Sequence, residues 1–131
     1  MIKEFSVSSS KRNEYIDITP SVQDIVKKSG IKEGICTIFS PHTTAAITIN
    51  ENADPDVKHD ILMKVDKLVQ DPNYQHIEGN SDAHLKSSIM GCSETVIIKN
   101  SSLLLGTWQC IYFCEHDGPR QRKVYINILG K

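Results

Sequence analysis

The second half of the chain constrains its fold most. From residue 94 onward the apolar pattern takes a period of two, and residues 94–99, 103–105, 107–115 and 122–128 all read as strands. In the last of these, Val124, Ile126 and Ile128 alternate with Lys123, Tyr125 and Asn127. One apolar and one polar face is the mark of an antiparallel sheet packed on one side. Residues 2–8 and 14–18 alternate in the same way around the polar turn Ser9-Ser10-Lys11-Arg12-Asn13, and residues 34–39 and 45–50 read as strands flanking Ser40-Pro41-His42-Thr43-Thr44.

Helices interrupt this pattern near the start and in the middle. Thr19 reads as an N-cap with Pro20 at the first helical position, Val22, Ile25 and Val26 share a face, and Gly30 stops the helix. The longest helix is capped by Asp54 and opened by Pro55. It carries Val57, Ile61, Val65, Leu68 and Val69 as an apolar stripe and ends at Asp71-Pro72-Asn73. A short helix from about Asp82 to Met90 closes at Gly91. The expected architecture is α+β: a mostly antiparallel sheet or sandwich with two to three helices on one side, as a single compact domain over residues 1–131.

Composition narrows the partners. A formal charge of -1 lacks the basic footprint of a non-specific nucleic-acid binder. No apolar run approaches the roughly 20 residues of a spanning helix, and the N-terminal residues do not form a signal peptide. The expectation is a cytoplasmic domain with neither nucleic acid nor membrane as partner. Cys36, Cys92, Cys110 and Cys114 form no C-x-x-C pair and read as buried free thiols. Asn100-Ser101-Ser102 reads as a turn, and His59 as a solvated residue on the polar face of the long helix.

Three polar segments break the regular patterning, and functional groups concentrate in such places. The first runs from Phe39-Ser40-Pro41-His42-Thr43-Thr44-Ala45-Ala46 to Asn50-Glu51-Asn52-Ala53-Asp54-Pro55-Asp56. The second is His76-Ile77-Glu78-Gly79-Asn80-Ser81-Asp82-Ala83-His84-Leu85-Lys86-Ser87-Ser88. The third is Gly106-Thr107-Trp108-Gln109, followed by Glu115-His116-Asp117-Gly118-Pro119-Arg120. Imidazoles from separate segments, His42, His76 and His84, are able to bind a zinc-like ion with open positions for water or substrate, or simply to satisfy local hydrogen bonds. The Asp117-Gly118-Pro119-Arg120 turn ends in a guanidinium suited to phosphate or carboxylate, or to solvent. A helix beginning near Ser81 or Asp82 and followed by Lys86 is an anion seat or merely a capped helix start.

Taken together, these segments resemble the signatures of the YjbQ-like family, also called the secondary thiamine-phosphate synthase family. Pro41 to Asp56 looks like the first signature and Asn80 to Ser88 the second. Leu105-Gly106-Thr107-Trp108-Gln109 and Glu115 to Arg120 resemble the third and fourth. Ser81 stands where alanine is expected, and His116 where an aromatic or apolar residue is common, which adds a fourth candidate ligand.

The resemblance implies a homotrimer with a metal at His42, His76 and His84, either zinc-like at the imidazoles or Mg²⁺ on pyrophosphate. It implies condensation of an aminopyrimidine pyrophosphate with a thiazole phosphate, releasing pyrophosphate, as a main or secondary activity. Asp82, Glu115 and Arg120 would be catalytic, while Lys86, Trp108, Gln109 and Asp117 would bind substrate. Arg120, Lys86 and the ion would stabilise the leaving pyrophosphate, and Trp108 would stack on the pyrimidine. The competing readings are a metal-dependent hydrolase with Asp82 or Glu115 as base, and a non-catalytic module for a small phosphorylated ligand.

Overall fold

The computed structural model describes residues 1–131. Its elements follow the order β1 (Ile2–Ser8), β2 (Glu14–Asp17), α1 (Thr19–Ser29), β3 (Glu33–Phe39), β4 (Ala45–Glu51), α2 (Pro55–Val69), α3 (Ser81–Met90), β5 (Ser93–Lys99), β6 (Ser102–Leu103), β7 (Gln109–Glu115) and β8 (Gln121–Gly130). The class is α+β. All strand pairs are antiparallel, in a five-stranded sheet of order β1-β8-β3-β5-β6 and a three-stranded sheet of order β2-β7-β4.

The period-two pattern explains how the sheets stack. Cys36, Ile38, Val96, Ile98, Val124, Ile126 and Ile128 of the larger sheet meet Ile47, Ile111 and Phe113 of the smaller one in a single core, closed at the side by Val22 and Val26 of α1. The other face of the smaller sheet carries Tyr15, Ala46, Cys110, Tyr112 and Cys114, and it packs against Ile61 and Leu62 of α2 and Met90 of α3. Strand β7 is therefore covered on both faces, so every residue from Cys110 to Glu115 is buried. The outer face of the larger sheet has no such cover. There Ile35 lies between Ile97 and Leu129 in register, and all three are exposed.

Several boundaries differ from the sequence expectation for local reasons. Ile18, not Thr19, precedes α1. The Thr19 hydroxyl instead accepts from the Ile111 N–H at 2.8 Å, tying the helix to β7. Asp54 caps α2 as expected, accepting from the Asp56 N–H at 2.9 Å. Strand β7 starts two residues later than the pattern predicts. The Gln109 side chain accepts from the Gly106 N–H at 2.8 Å and folds residues 106–108 into a turn. Cys36, Cys110 and Cys114 are buried thiols, whereas Cys92 is exposed.

Three connections pass from one sheet to the other at the same end of the sandwich: residues 9–13, residues 40–44 and residues 116–120. They are stitched together by backbone bonds, from Ser9 N–H to Arg120 O, from Gly118 N–H to Arg12 O and from His116 N–H to Thr44 O, at 2.9, 3.0 and 3.1 Å. Gly118 lies so close to the first connection that a Cβ would meet Lys11 O at 2.3 Å. Only glycine allows that approach.

Candidate functional site

The groups at this end of the sandwich are arranged in layers. At the base, Glu115 is fully buried at the end of β7. Its carboxylate accepts from Arg122 Nε at 2.9 Å, from Ser9 Oγ at 2.6 Å, from the Asp117 N–H at 3.0 Å and from Arg122 Nη2. Arg122 Nη2 also donates to Thr44 Oγ1 at 2.9 Å. Burial alone would raise the Glu115 pKa, but Arg122, Ser9 and the Asp117 amide outweigh it and hold it below the usual range. A charge pair this buried orders what surrounds it. Glu115 thus joins all three connections, with no lone pair facing the cleft above.

Over that base lies a second network. Asp82, in the first turn of α3, receives a bidentate pair from Arg12 at 2.9 and 3.0 Å. The Arg12 guanidinium pulls the Asp82 carboxyl down to about 2. Asp117 Oδ2 accepts from Asn80 Nδ2 and from Arg120 Nη2, both at 2.9 Å, while Arg120 Nε donates to the Asp117 carbonyl at 2.7 Å. The Arg120 fork is thereby aimed by its own turn, yet the side chain is still 49 % exposed and available to a ligand.

Between these groups and the histidines lies a cleft of about 480 Å³, and none of its 11 lining residues is hydrophobic. His42, His76, His84, Asn80, Asp117 and Arg120 all contribute to it. A second lobe of about 460 Å³ shares His42 and His84 and extends past Ser87 to Cys92. The His76 and His84 rings sit edge to face with centroids 5.6 Å apart. His42 Nε2 accepts from the Lys123 N–H at 2.9 Å, so its neutral ring carries the proton on Nδ1. Burial, assisted by Arg122, lowers its pKa and favours that neutral form.

A metal at these histidines needs three convergent lone pairs. No group of three or more His, Cys, Asp or Glu side chains is so placed, and His42 already uses one nitrogen on Lys123. The arrangement is a hydrogen-bonding cleft and not a preformed three-histidine ligand set.

The other sequence candidates separate by position. His42, His76, His84, Asp117 and Arg120 meet at the cleft, and Asp82 and Glu115 support it from behind. Lys86 turns away: its Nζ is buried and donates to Asn13 Oδ1 at 2.9 Å and Asp66 Oδ1 at 2.7 Å. Trp108 and Gln109 lie at the opposite end of β7 from Glu115, about 20 Å away at strand rise. Gln109 is spent on its turn, and Trp108 is exposed to solvent. His116 is buried beside Ser87, with Nδ1 3.1 Å from Ser87 Oγ. Burial, with Lys86 adding to it, pushes its pKa down to about 4.

Sequence reasoning missed Arg12, Asn80, Glu78 and Thr44 as site residues. Arg12 sits in a turn with no motif to mark it, and only the fold brings it to Asp82.

A family model described as "UPF0047 protein YjbQ-like" matches residues 3–131. UPF0047 protein MJ1081 of Methanocaldococcus jannaschii is 53% identical over 131 residues, covering 99% of this chain and 95% of that protein. UPF0047 protein YugU of Bacillus subtilis is 51% identical over 132 residues, covering 99% of this chain and 100% of that protein. Among solved structures, a yjbq/upf0047 family protein of Clostridium acetobutylicum superposes with a TM-score of 0.95 at 53% identity, covering 97% of this chain and 99% of that one. A YbjQ-like protein of unknown function from Sulfolobus solfataricus also reaches 0.95, at 38% identity and 100% and 97% coverage.

Proposed function

This chain belongs to the UPF0047 family of YjbQ-like proteins, and from that premise we propose that its cleft takes a small phosphorylated substrate. One observation carries the reading: a predominantly polar cleft into which Arg120 projects from a turn that fixes its guanidinium by two bonds to Asp117. Within this proposal, condensation of an aminopyrimidine pyrophosphate with a thiazole phosphate is a secondary activity.

In that reaction the departing pyrophosphate gains negative charge. Arg120 binds it, and the Nδ1–H of His42 supplies a neutral donor. Asp82 and Glu115 act behind the cleft by holding Arg12 and Arg122, so neither serves as the base. Trp108 does not reach the pyrimidine inside one chain, because it stands at the other end of β7, and the only rings lining the cleft are the imidazoles of His42, His76 and His84. This difference favours a weak side reaction over a dedicated one.

The test incubates purified protein with both phosphorylated precursors and Mg²⁺ and follows thiamine phosphate by chromatography. Slow product formation that Arg120→Ala reduces by about 100-fold would agree with the loss of one preorganised charge donor. No product above the protein-free control would remove the condensation and leave the binding reading to be judged by phosphate affinity.

A homotrimer is part of the same proposal. Its support is the uncovered outer face of the larger sheet, where Ile35, Ile97 and Leu129 form an apolar row. Sedimentation equilibrium reads the assembly directly, and Ile97→Asp should dissociate it. No helix is long and apolar enough to cross a membrane.

A further inference from the structure

The polar groups of the cleft are not those of a simple anion trap. Arg120 and Arg122 line it, but so do the carboxylates of Glu78 and Asp117, so the charged lining is formally balanced. Arg122 is further neutralised by Glu115. A bare phosphate gains from Arg120 and is repelled by the two carboxylates. A ligand suited to the whole cleft carries an anion at one end and hydrogen-bond donors at the other.

Asn80 points the same way. It is 6 % exposed and lines the cleft at the residue before α3. Asparagine at that position ordinarily caps the helix with its side-chain oxygen, but this one makes no cap bond. Its Nδ2 donates to Glu78 at 2.8 Å and to Asp117 at 2.9 Å. Two carboxylate acceptors fix the orientation of the amide, because a flip would set its oxygen against both. Oδ1 is left buried with no donor. An unmet buried acceptor of this kind is costly in a folded chain, and a ligand donor recovers that cost.

We infer that the main substrate of this cleft is a phosphorylated polyol, with its phosphate on Arg120 and a hydroxyl donating to Asn80 Oδ1. Further hydroxyls bond to Asp117 and Glu78. Carboxylates beside a carboxamide suit hydroxyl groups, and apart from three imidazoles the cleft has no aromatic side chain on which a flat heterocycle could stack. The inference rests on the phosphorylated-substrate reading and narrows it to a class different from the aminopyrimidine of the secondary reaction. Asn80 becomes the residue that sets specificity.

Calorimetric titration of the full chain with ribose 5-phosphate, n-pentyl phosphate and inorganic phosphate tests this. Ribose 5-phosphate should bind at least about tenfold tighter than n-pentyl phosphate, which has the same charge and chain length but no hydroxyl. In Asn80→Ala that ratio should fall below about threefold. Equal binding of the two esters by the native chain would overturn the polyol inference and leave the phosphate reading standing. Failure of all three to bind would overturn both. The comparison of esters on the native chain decides the matter even if Asn80→Ala does not fold.

Discussion

Arg12→Ala gives the most quantitative test of how the site is held together. Arg12 lies in the β1–β2 connection, and Asp82 lies across the cleft rim on α3. Their bidentate contact at 2.9 and 3.0 Å ties those two segments together, beside the single bond from Lys86 Nζ to Asn13 Oδ1. The Asp82 carboxyl is lowered from 3.8 to about 2, chiefly by that contact. A displacement of this size corresponds to at most about 2.5 kcal/mol of stability. The Arg12 side chain is 44 % exposed, so solvent screens the pair and about 1–1.5 kcal/mol is the reasonable expectation.

The sign follows from the direction of the displacement. A carboxyl whose folded pKa is depressed contributes in full above its unfolded value and loses that contribution as the pH falls through the folded value. Urea denaturation followed by circular dichroism should therefore find Arg12→Ala less stable than the native chain by about 1–1.5 kcal/mol near neutrality. Between about pH 4 and pH 2 the gap should close. A gap that is the same at both ends of that window would refute the reasoning, because the variant would then be acting through lost packing. A gap below about 0.3 kcal/mol near neutrality would equally refute it, by showing the pair to be an ordinary surface contact.

Three further outcomes are expected. His116, held neutral with its pKa down at about 4, should cost the native chain stability as the pH falls from about 6.5 to 4, and His116→Phe should flatten that part of the urea profile; an unchanged profile would mean that His116 is protonated in the fold. Lys86→Met should leave phosphate affinity within about twofold, since Lys86 faces Asp66 and Asn13, and a tenfold loss by calorimetry would place its ammonium in the cleft. Protein purified without chelator or affinity tag should carry zinc well below one per chain, because no three side chains converge on an ion; stoichiometric zinc that disappears in His42→Ala would show that His42 exchanges Lys123 for a metal.

The fold was legible where a periodicity acts alone. Strand β8 alternates because one face of the larger sheet is packed and the other open, and α2 shows both its stripe and its cap. The pattern was less informative where two layers compete for one strand. β7 is buried on both faces, so its alternation disappears, and its start depends on a Gln109 side chain that no periodicity describes. The division into two sheets was also hidden, since each of the three crossings is a short polar segment that reads equally well as a hairpin turn.

The site shows the corresponding limit for chemistry. Sequence signatures bring together residues that matter, but they carry no information on which way each side chain faces. His84 and Lys86 stand two apart on α3, and that spacing sends them to different sides of a helix. His84 reaches the cleft while Lys86 reaches α2. Trp108 and Glu115 belong to segments that look contiguous in function, yet a straight strand holds them at opposite ends. Conversely, Arg12 acts on the cleft without any motif, brought there by a crossing between sheets, and Asn80, though it opens the second signature, acts there by forgoing the cap that its position suggests. An orphaned acceptor is visible only after every bond around it has been assigned. On the inference drawn from that acceptor, specificity rests on a carboxamide that the sequence presents as an ordinary helix start, while the histidines, read from the sequence as metal ligands, line the same cleft.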